Sequence, residues 1–255
     1  MERQQYLSAT LETINIDRLR DSALNSFEDL TWLFTCDSRN RGIIRQGFDE
    51  AALLWKAVRA TAGNILEVGR NQAGSTVLLA AAAPDREIYS IDIKAKAHPA
   101  CAKFLARPEN KTRVHQLVAD SRKTLPRITF GFEFIDGDHS FGGVLADVIA
   151  HWNALEAEGL AVFHDAVPNQ NFKWRDQHRT LHRFWIRMKN RFRKLKKAEI
   201  APDYETGVFS VCETLVERGL AERGEQAGSM LVLRKLANLP AEFENIARRD
   251  FARRQ

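Results

Sequence analysis

The sequence predicts an α/β chain: a doubly wound, mostly parallel seven-stranded sheet with an N-terminal helical cap and a basic helical insert. Three observations lead there. From Asn64 onward, short apolar strands alternate with helical stretches, the rhythm of βαβ units. A glycine loop, Gly69…Gly74, joins the first strand to the helix that follows it. Acidic residues then recur at successive strand ends, as Asp92, Asp120, Asp136 and Asp165.

The elements follow in order. Residues 1–60 read as the cap, with Leu7, Leu11 and Ile14, then Phe27, Leu30, Leu33 and Phe34, at helical spacing. Asp49-Glu50 opens a helical run from Ala51 to Ala60, which Gly63 ends. Strands are expected at 64–68, 87–91, 114–118, 132–136 and 160–164, with helices at 76–83, 99–105 and 141–156 between them. Each crossover must be right-handed to pack back on the sheet. The main domain spans 61–236 and includes the insert at 166–205. Past the insert, 207–218 reads as a helix, and 220–225 with 229–234 as a closing hairpin about Gln226-Ala227-Gly228. Residues 237–255 form a helical tail.

A chain of 255 residues with 44% hydrophobic content suits one large α/β domain with decorations. No stretch approaches the ~20 apolar residues of a membrane span. The polar start Met1-Glu2-Arg3-Gln4-Gln5 has no hydrophobic region behind it, so a cytoplasmic protein is expected. Cys36, Cys101 and Cys212 lie far apart, without zinc-site spacing or disulfide density, and read as reduced and buried. The net charge of +5 is unevenly spread: eleven Lys/Arg face only Asp176 between Lys173 and Lys197, leaving the remainder of the chain net acidic.

The stretch Ile65-Leu66-Glu67-Val68-Gly69-Arg70-Asn71-Gln72-Ala73-Gly74-Ser75-Thr76 runs from strand through loop to helix. Glycines let a ligand approach the backbone, and the helix start offers free N–H groups. Such a loop also serves dinucleotides, or is a tight turn with no ligand. It is no phosphate cradle, because no Lys follows Gly74. About twenty residues on, Asp92 stands where a ribose diol would meet a carboxylate, an arrangement that nicotinamide cofactors share. Ala119-Asp120-Ser121 and Ile135-Asp136-Gly137-Asp138-His139-Ser140 bring further polar groups to the same crevice.

Taken with Tyr89-Ser90-Ile91-Asp92, Gly159-Leu160-Ala161-Val162-Phe163-His164-Asp165 and Gly228-Ser229-Met230-Leu231-Val232-Leu233-Arg234, these segments resemble class I S-adenosylmethionine-dependent methyltransferases. More narrowly, they are similar to the branch of macrocin and catechol O-methyltransferases and cephalosporin-hydroxylase-like proteins. The resemblance covers roughly 50–165 and 206–236, and neither the cap nor the insert. It implies a Rossmann-like methyltransferase fold and S-adenosylmethionine as cofactor. Glu67, Gly69, Gly74 and Ser75 would hold its methionine part, Asp92 its ribose, Asp120 and Ser121 would lie beside the adenine, and Asp136 would border the same site. The resemblance also implies a divalent cation, magnesium or manganese, on Asp136 and Asp165, with His139 as general base and Asp138 beside it as a second catalytic candidate.

The chemistry stands without the family. Methyl transfer from a sulfonium is an in-line displacement, so the enzyme must position a nucleophile and remove its proton. A cation lowers the pKa of a bound hydroxyl, and a neutral imidazole accepts a proton near neutral pH. His164 departs from the relatives, many of which carry an acid there; with it, Asp136, His164 and Asp165 suit manganese, iron or zinc at least as well as magnesium. The alternative is that Asp136 and Asp165 are strand-end polar residues of a metal-free enzyme. His98, His115, His151, His178 and His182 lack a partner pattern.

The acceptor expected is a hydroxyl of a small molecule or sugar. Trp174 to Lys197 reads as a basic amphipathic helix, with Leu181, Phe184, Trp185, Met188, Phe192 and Leu195 on one stripe. Beside the acceptor entrance it would draw an anionic substrate or contact a membrane surface through 173–197; docked on the domain, it would only present a solvated cationic face. Aromatic residues among the cations also raise nucleic acid as a target, which the net acidic remainder and the absence of an Asn-Pro-Pro-Tyr-type motif oppose. A hydroxylase-like protein of the same fold is a further alternative, and a homo-oligomer is compatible with all three.

Overall fold

The structure is a computed structural model that describes residues 27–34, 43–123, 127–166 and 207–254. The basic segment 173–197, Cys36, His178 and His182 lie outside the described residues, as does most of the N-terminal cap.

A 3-10 helix, Phe27–Phe34, precedes α1 (Phe48–Arg59). Asp49 and Glu50 sit in the first turn of α1 and Lys56 and Arg59 in its last, both signs favourable to the helix dipole. The central sheet comprises β1 (Ile65–Val68), β2 (Ile88–Asp92), β3 (Val114–Val118), β4 (Phe130–Ile135), β5 (Leu155–Phe163), β6 (Ala221–Ala227) and β7 (Met230–Lys235). Its order is β3-β2-β1-β4-β5-β7-β6. The first five strands are parallel, and β7 pairs antiparallel with both β5 and β6. The helices are α2 (Gly74–Ala82), α3 (Pro99–Leu105), α4 (Pro108–Lys111), α5 (Phe141–His151), α6 (Gly207–Glu217) and α7 (Phe243–Arg254), with a 3-10 turn at Trp152–Ala154.

Apolar clusters cover both faces of the sheet, because successive strand residues point to opposite sides. Phe132, Phe134, Val162, Met230 and Val232 meet Leu54, Val58, Val77 and Leu78 of α1 and α2. Ile135, Ala161, Phe163, Leu231 and Leu233 meet Val144, Val148, Val211 and Leu215 of α5 and α6. Tail helix α7 joins this second core: Phe251 stacks on Phe141 at 4.2 Å, and Arg218 forks onto Asp250 at 2.6–3.0 Å. Cys101 and Cys212 are buried free thiols. Among the described residues, no helix is long and apolar enough to cross a membrane.

The structure departs from the expected elements chiefly at β5, besides the extra short helix α4 and a β6 that runs on through Gln226 and Ala227. Helix α5 ends at His151, and β5 already begins at Leu155. Phe130 pairs with Leu155 but Phe132 with Leu160, so residues 156–159, Glu-Ala-Glu-Gly, bulge out of the ladder, with Glu158 at φ +62°. Such a bulge leaves no apolar periodicity, which is why the sequence reads through it as helix.

Candidate active site

The strand order reverses between β1 and β4: β2 and β3 extend to one side of β1, and β4 and β5 to the other. At such a switch point the loops leaving the two central strands diverge and open a crevice at their carboxyl ends. A cleft of about 730 Å³ lies there, lined by residues that include Gly69, Asp92, Asp120, Ser121, Asp136, Asp138, His139, His164 and Asp165.

Gly69 ends β1 at φ +93°, and a Cβ there would meet the Asp136 carbonyl oxygen at 2.1 Å. Only glycine permits both the left-handed backbone and this approach of the β1 loop to the end of β4. Asp92, at the tip of β2, accepts Asn71 N–H on Oδ2 and Lys94 N–H on Oδ1, both at 2.8 Å, so its carboxylate is held at the cleft wall by two loops. Asp120 is gripped by the Arg122 guanidinium at 2.7 and 3.0 Å, which holds its carboxyl below the usual range. Ser121 Oγ donates to Asp147 Oδ1 at 2.6 Å. Burial pushes Asp147 up to about 6 despite this bond.

Glu67, Gly74 and Ser75 do not line the cleft; they lie under it. Glu67 is fully buried beneath the start of α2, where its carboxylate accepts Ser75 Oγ (2.5 Å), Thr76 Oγ1 (2.6 Å) and Ser90 Oγ (2.5 Å). Burial raises its pKa against these bonds. It is a brace between β1, β2 and α2. A Cβ on Gly74 would meet Ile44 Cα at 2.6 Å, so this glycine admits the segment before α1.

That segment carries the groups that sequence reasoning missed. Gln46 Nε2 donates to Asp136 Oδ2 at 2.7 Å. Glu50, read from the sequence only as a helix opener, accepts Gly47 N–H on Oε2, closing a capping box, and both Ser229 N–H and Ser229 Oγ on Oε1 at 2.8 Å. Its Oε2 also faces His164 Nε2 at 3.5 Å. No local pattern announces these contacts.

Around Asp136 the side chains converge. His139 Nε2 lies 3.0 Å from Asp136 Oδ1, and His139 Nδ1 lies 2.8 Å from Asp165 Oδ2. His164 Nδ1 is 3.2 Å from Asp136 Oδ1 and 3.8 Å from Asp165 Oδ1. Burial alone would lower both imidazoles; the flanking carboxylates instead push His139 up to about 9 and His164 up to about 11. Burial likewise opposes ionisation of the acids, yet the histidines hold Asp136 below the usual carboxylate range and bring Asp165 to about 2. One donor atom each from Asp136, His139 and His164 falls within 4.8 Å of the others, a spacing that can hold a metal ion. Asp165, a candidate ligand by sequence, falls outside that trio with its Oδ2 2.8 Å from His139 Nδ1, and Asp138 stands exposed on the wall with Oδ1 accepting Ser140 N–H at 3.0 Å.

Residues 66–166 match a family described as a methyltransferase domain. No curated protein matches the chain in sequence. Among solved structures, the O-methyltransferase TomG from Streptomyces achromogenes, involved in tomaymycin synthesis and solved with S-adenosylmethionine, is similar at 15% identity. That match has a TM-score of 0.57 and covers 93% of this chain and all of TomG. An O-methyltransferase from Bacillus cereus, in complex with S-adenosylhomocysteine, is 16% identical over 84% of this chain and 91% of its own, with a TM-score of 0.51. The O-methyltransferase NovP is 10% identical over 88% of this chain and 100% of its own, also at 0.51. Identities this low establish the shared fold, and the family match adds the activity class. With the β1 glycine loop, the β2 acid and the seven-stranded order all inside or beside the matched segment, residues 66–166 carry a methyltransferase domain, set in the fold these O-methyltransferases share.

Proposed function

We propose that the enzyme methylates a hydroxyl of a small molecule or sugar, with a divalent cation assisting. The observation that carries this reading is the junction of two half-sites in one cleft: the Gly69 loop with Asp92 on one side, and the Asp136–His139–His164 cluster on the other. A cation bound beside the methyl donor would lower the pKa of an acceptor hydroxyl. That TomG and NovP are O-methyltransferases supports oxygen as the acceptor atom.

The residues divide the work as follows. Gly69 admits the methionine end of the cofactor against the backbone, Asp92 accepts the ribose hydroxyls, and Ser121 with Asp120 borders the adenine. Asp136, His139 and His164 hold the cation. Both ring nitrogens of His139 are engaged, Nε2 on the cation side beside Asp136 at 3.0 Å and Nδ1 beside Asp165 Oδ2 at 2.8 Å, so neither is left to take the acceptor's proton. We therefore assign proton removal to Asp138, whose carboxylate is exposed to the cleft two residues from Asp136.

The test is transfer of labelled methyl groups from S-adenosylmethionine to a panel of phenols, sugars and polyketides, with amines and nucleic acids as controls. Labelled methyl ethers are expected. Label confined to amines or nucleic acid would overturn the oxygen reading.

A further inference from the structure

We infer that the cation at this site is a late first-row divalent ion, of the iron, cobalt or zinc type, bound by two imidazoles and one carboxylate in preference to magnesium. The inference rests on the cation in the proposed function and deepens it by naming the ion's class and its ligands.

Three observations carry it. The first is spacing. His139 Nε2 and His164 Nδ1 stand 3.0 and 3.2 Å from the same oxygen, Asp136 Oδ1. Donors about 2.1 Å from one ion lie about 3.0 Å apart at right angles and about 3.4 Å apart at the tetrahedral angle, a range that brackets these distances. The second is an orphaned atom. His164 Nδ1 is buried and, although close to Asp136, makes no hydrogen bond of acceptable geometry. A buried ring nitrogen aimed at a carboxylate without bonding to it has the arrangement of a ligand.

The third is that each donor side chain has an outer partner. Asp165 Oδ2 sits 2.8 Å from the far nitrogen of His139, Glu50 Oε2 faces the far nitrogen of His164 at 3.5 Å, and Gln46 holds the second oxygen of Asp136 at 2.7 Å. Glu50 is itself anchored by Gly47 and by both donors of Ser229. Carboxylates behind imidazoles fix the tautomer and raise the basicity of the ligating nitrogen. Nitrogen donors favour the later first-row ions, whereas magnesium prefers oxygen and keeps its waters.

The experiment uses the full chain, stripped with a chelator and free of cofactor and acceptor. Calorimetric titrations with cobalt, zinc and magnesium should show cobalt and zinc binding at least 100-fold tighter than magnesium, and bound cobalt should show visible ligand-field absorption characteristic of nitrogen ligation. His164→Asp should narrow the gap to magnesium, His139→Ala should weaken cobalt binding, and Glu50→Gln should weaken it about 10–100-fold. The wild-type titration alone decides the matter even where a variant does not fold: magnesium binding as tightly as cobalt would overturn the inference. So would cobalt absorption unchanged in folded His139→Ala. S-adenosylmethionine binding and methyl transfer, measured separately, keep the two readings apart. A methyltransferase that binds no cobalt refutes this inference and spares the oxygen acceptor; a cobalt-binding protein that methylates no hydroxyl does the reverse.

Discussion

Glu50 Oε1 accepts both the backbone N–H and the hydroxyl of Ser229 at 2.8 Å, tying the first turn of α1 to the β6–β7 hairpin. Gly228 packs against the same carboxylate, where an added Cβ would come within 2.6 Å of Oε1. The helix before the sheet is thereby locked to the last strand pair in the chain. Glu50→Ala leaves a buried N–H without its acceptor and should cost about 2–4 kcal/mol of stability. Denaturant melts would show this; a loss below about 0.5 kcal/mol would mean the tie is incidental.

Glu67 is predicted to be structural. Its alanine variant strands Ser75, Thr76 and Ser90 in the core and should lower stability by about 3 kcal/mol, because a buried network half-satisfied is worse than none. Cofactor affinity, compared where the variant is fully folded, should fall less than in a cleft variant. A stable protein with abolished cofactor binding would return Glu67 to the role of direct ligand.

Asp92 supplies the complementary case. Its two backbone bonds hold a carboxylate at the cleft with lone pairs to spare. Asp92→Ala should weaken S-adenosylmethionine binding by about 1–3 kcal/mol, the range for charge-assisted hydrogen bonds. Calorimetry reads this directly, and unchanged affinity removes Asp92 from the ribose.

Asp138→Asn should lower kcat by about 10²–10⁴-fold while leaving cofactor and metal affinity nearly intact, as loss of a proton acceptor does. If kcat survives, proton removal does not pass through Asp138.

Glu133 lies fully buried on β4 with neither carboxylate oxygen hydrogen-bonded. Burial pushes it up to about 8, only partly offset by the Lys235 charge. With the folded pKa above the unfolded one, the protonated acid contributes stability that is complete below about 4.5 and is lost as pH rises through about 8. Melting temperature should therefore fall as pH rises from about 4.5 to about 8 and level off above it. Glu133→Gln, neutral throughout, should flatten that slope and be the more stable protein at pH 9; parallel curves would contradict the assignment.

The sequence by itself determined the alternation of strands and helices, the glycine loop and the acids at the ends of β2, β3 and β4, since these follow from periodicity and from what a close backbone approach demands locally. The bulge in β5 escaped it, because residues 156–159, Glu-Ala-Glu-Gly, carry no periodic signal. The roles inside the site escaped it for a different reason. Whether Glu67 points into the cleft or under α2 depends on which face of β1 the helix covers, and Asp165 comes within 2.8 Å of His139 only because the ends of β4 and β5 lie side by side. Gln46, Glu50, Asp136, His164 and Ser229 meet only when four separate segments close on one another. Local propensity acts over a few residues, whereas this convergence is set by the packing of α1 and the β6–β7 hairpin against the sheet, so only the tertiary structure decided it.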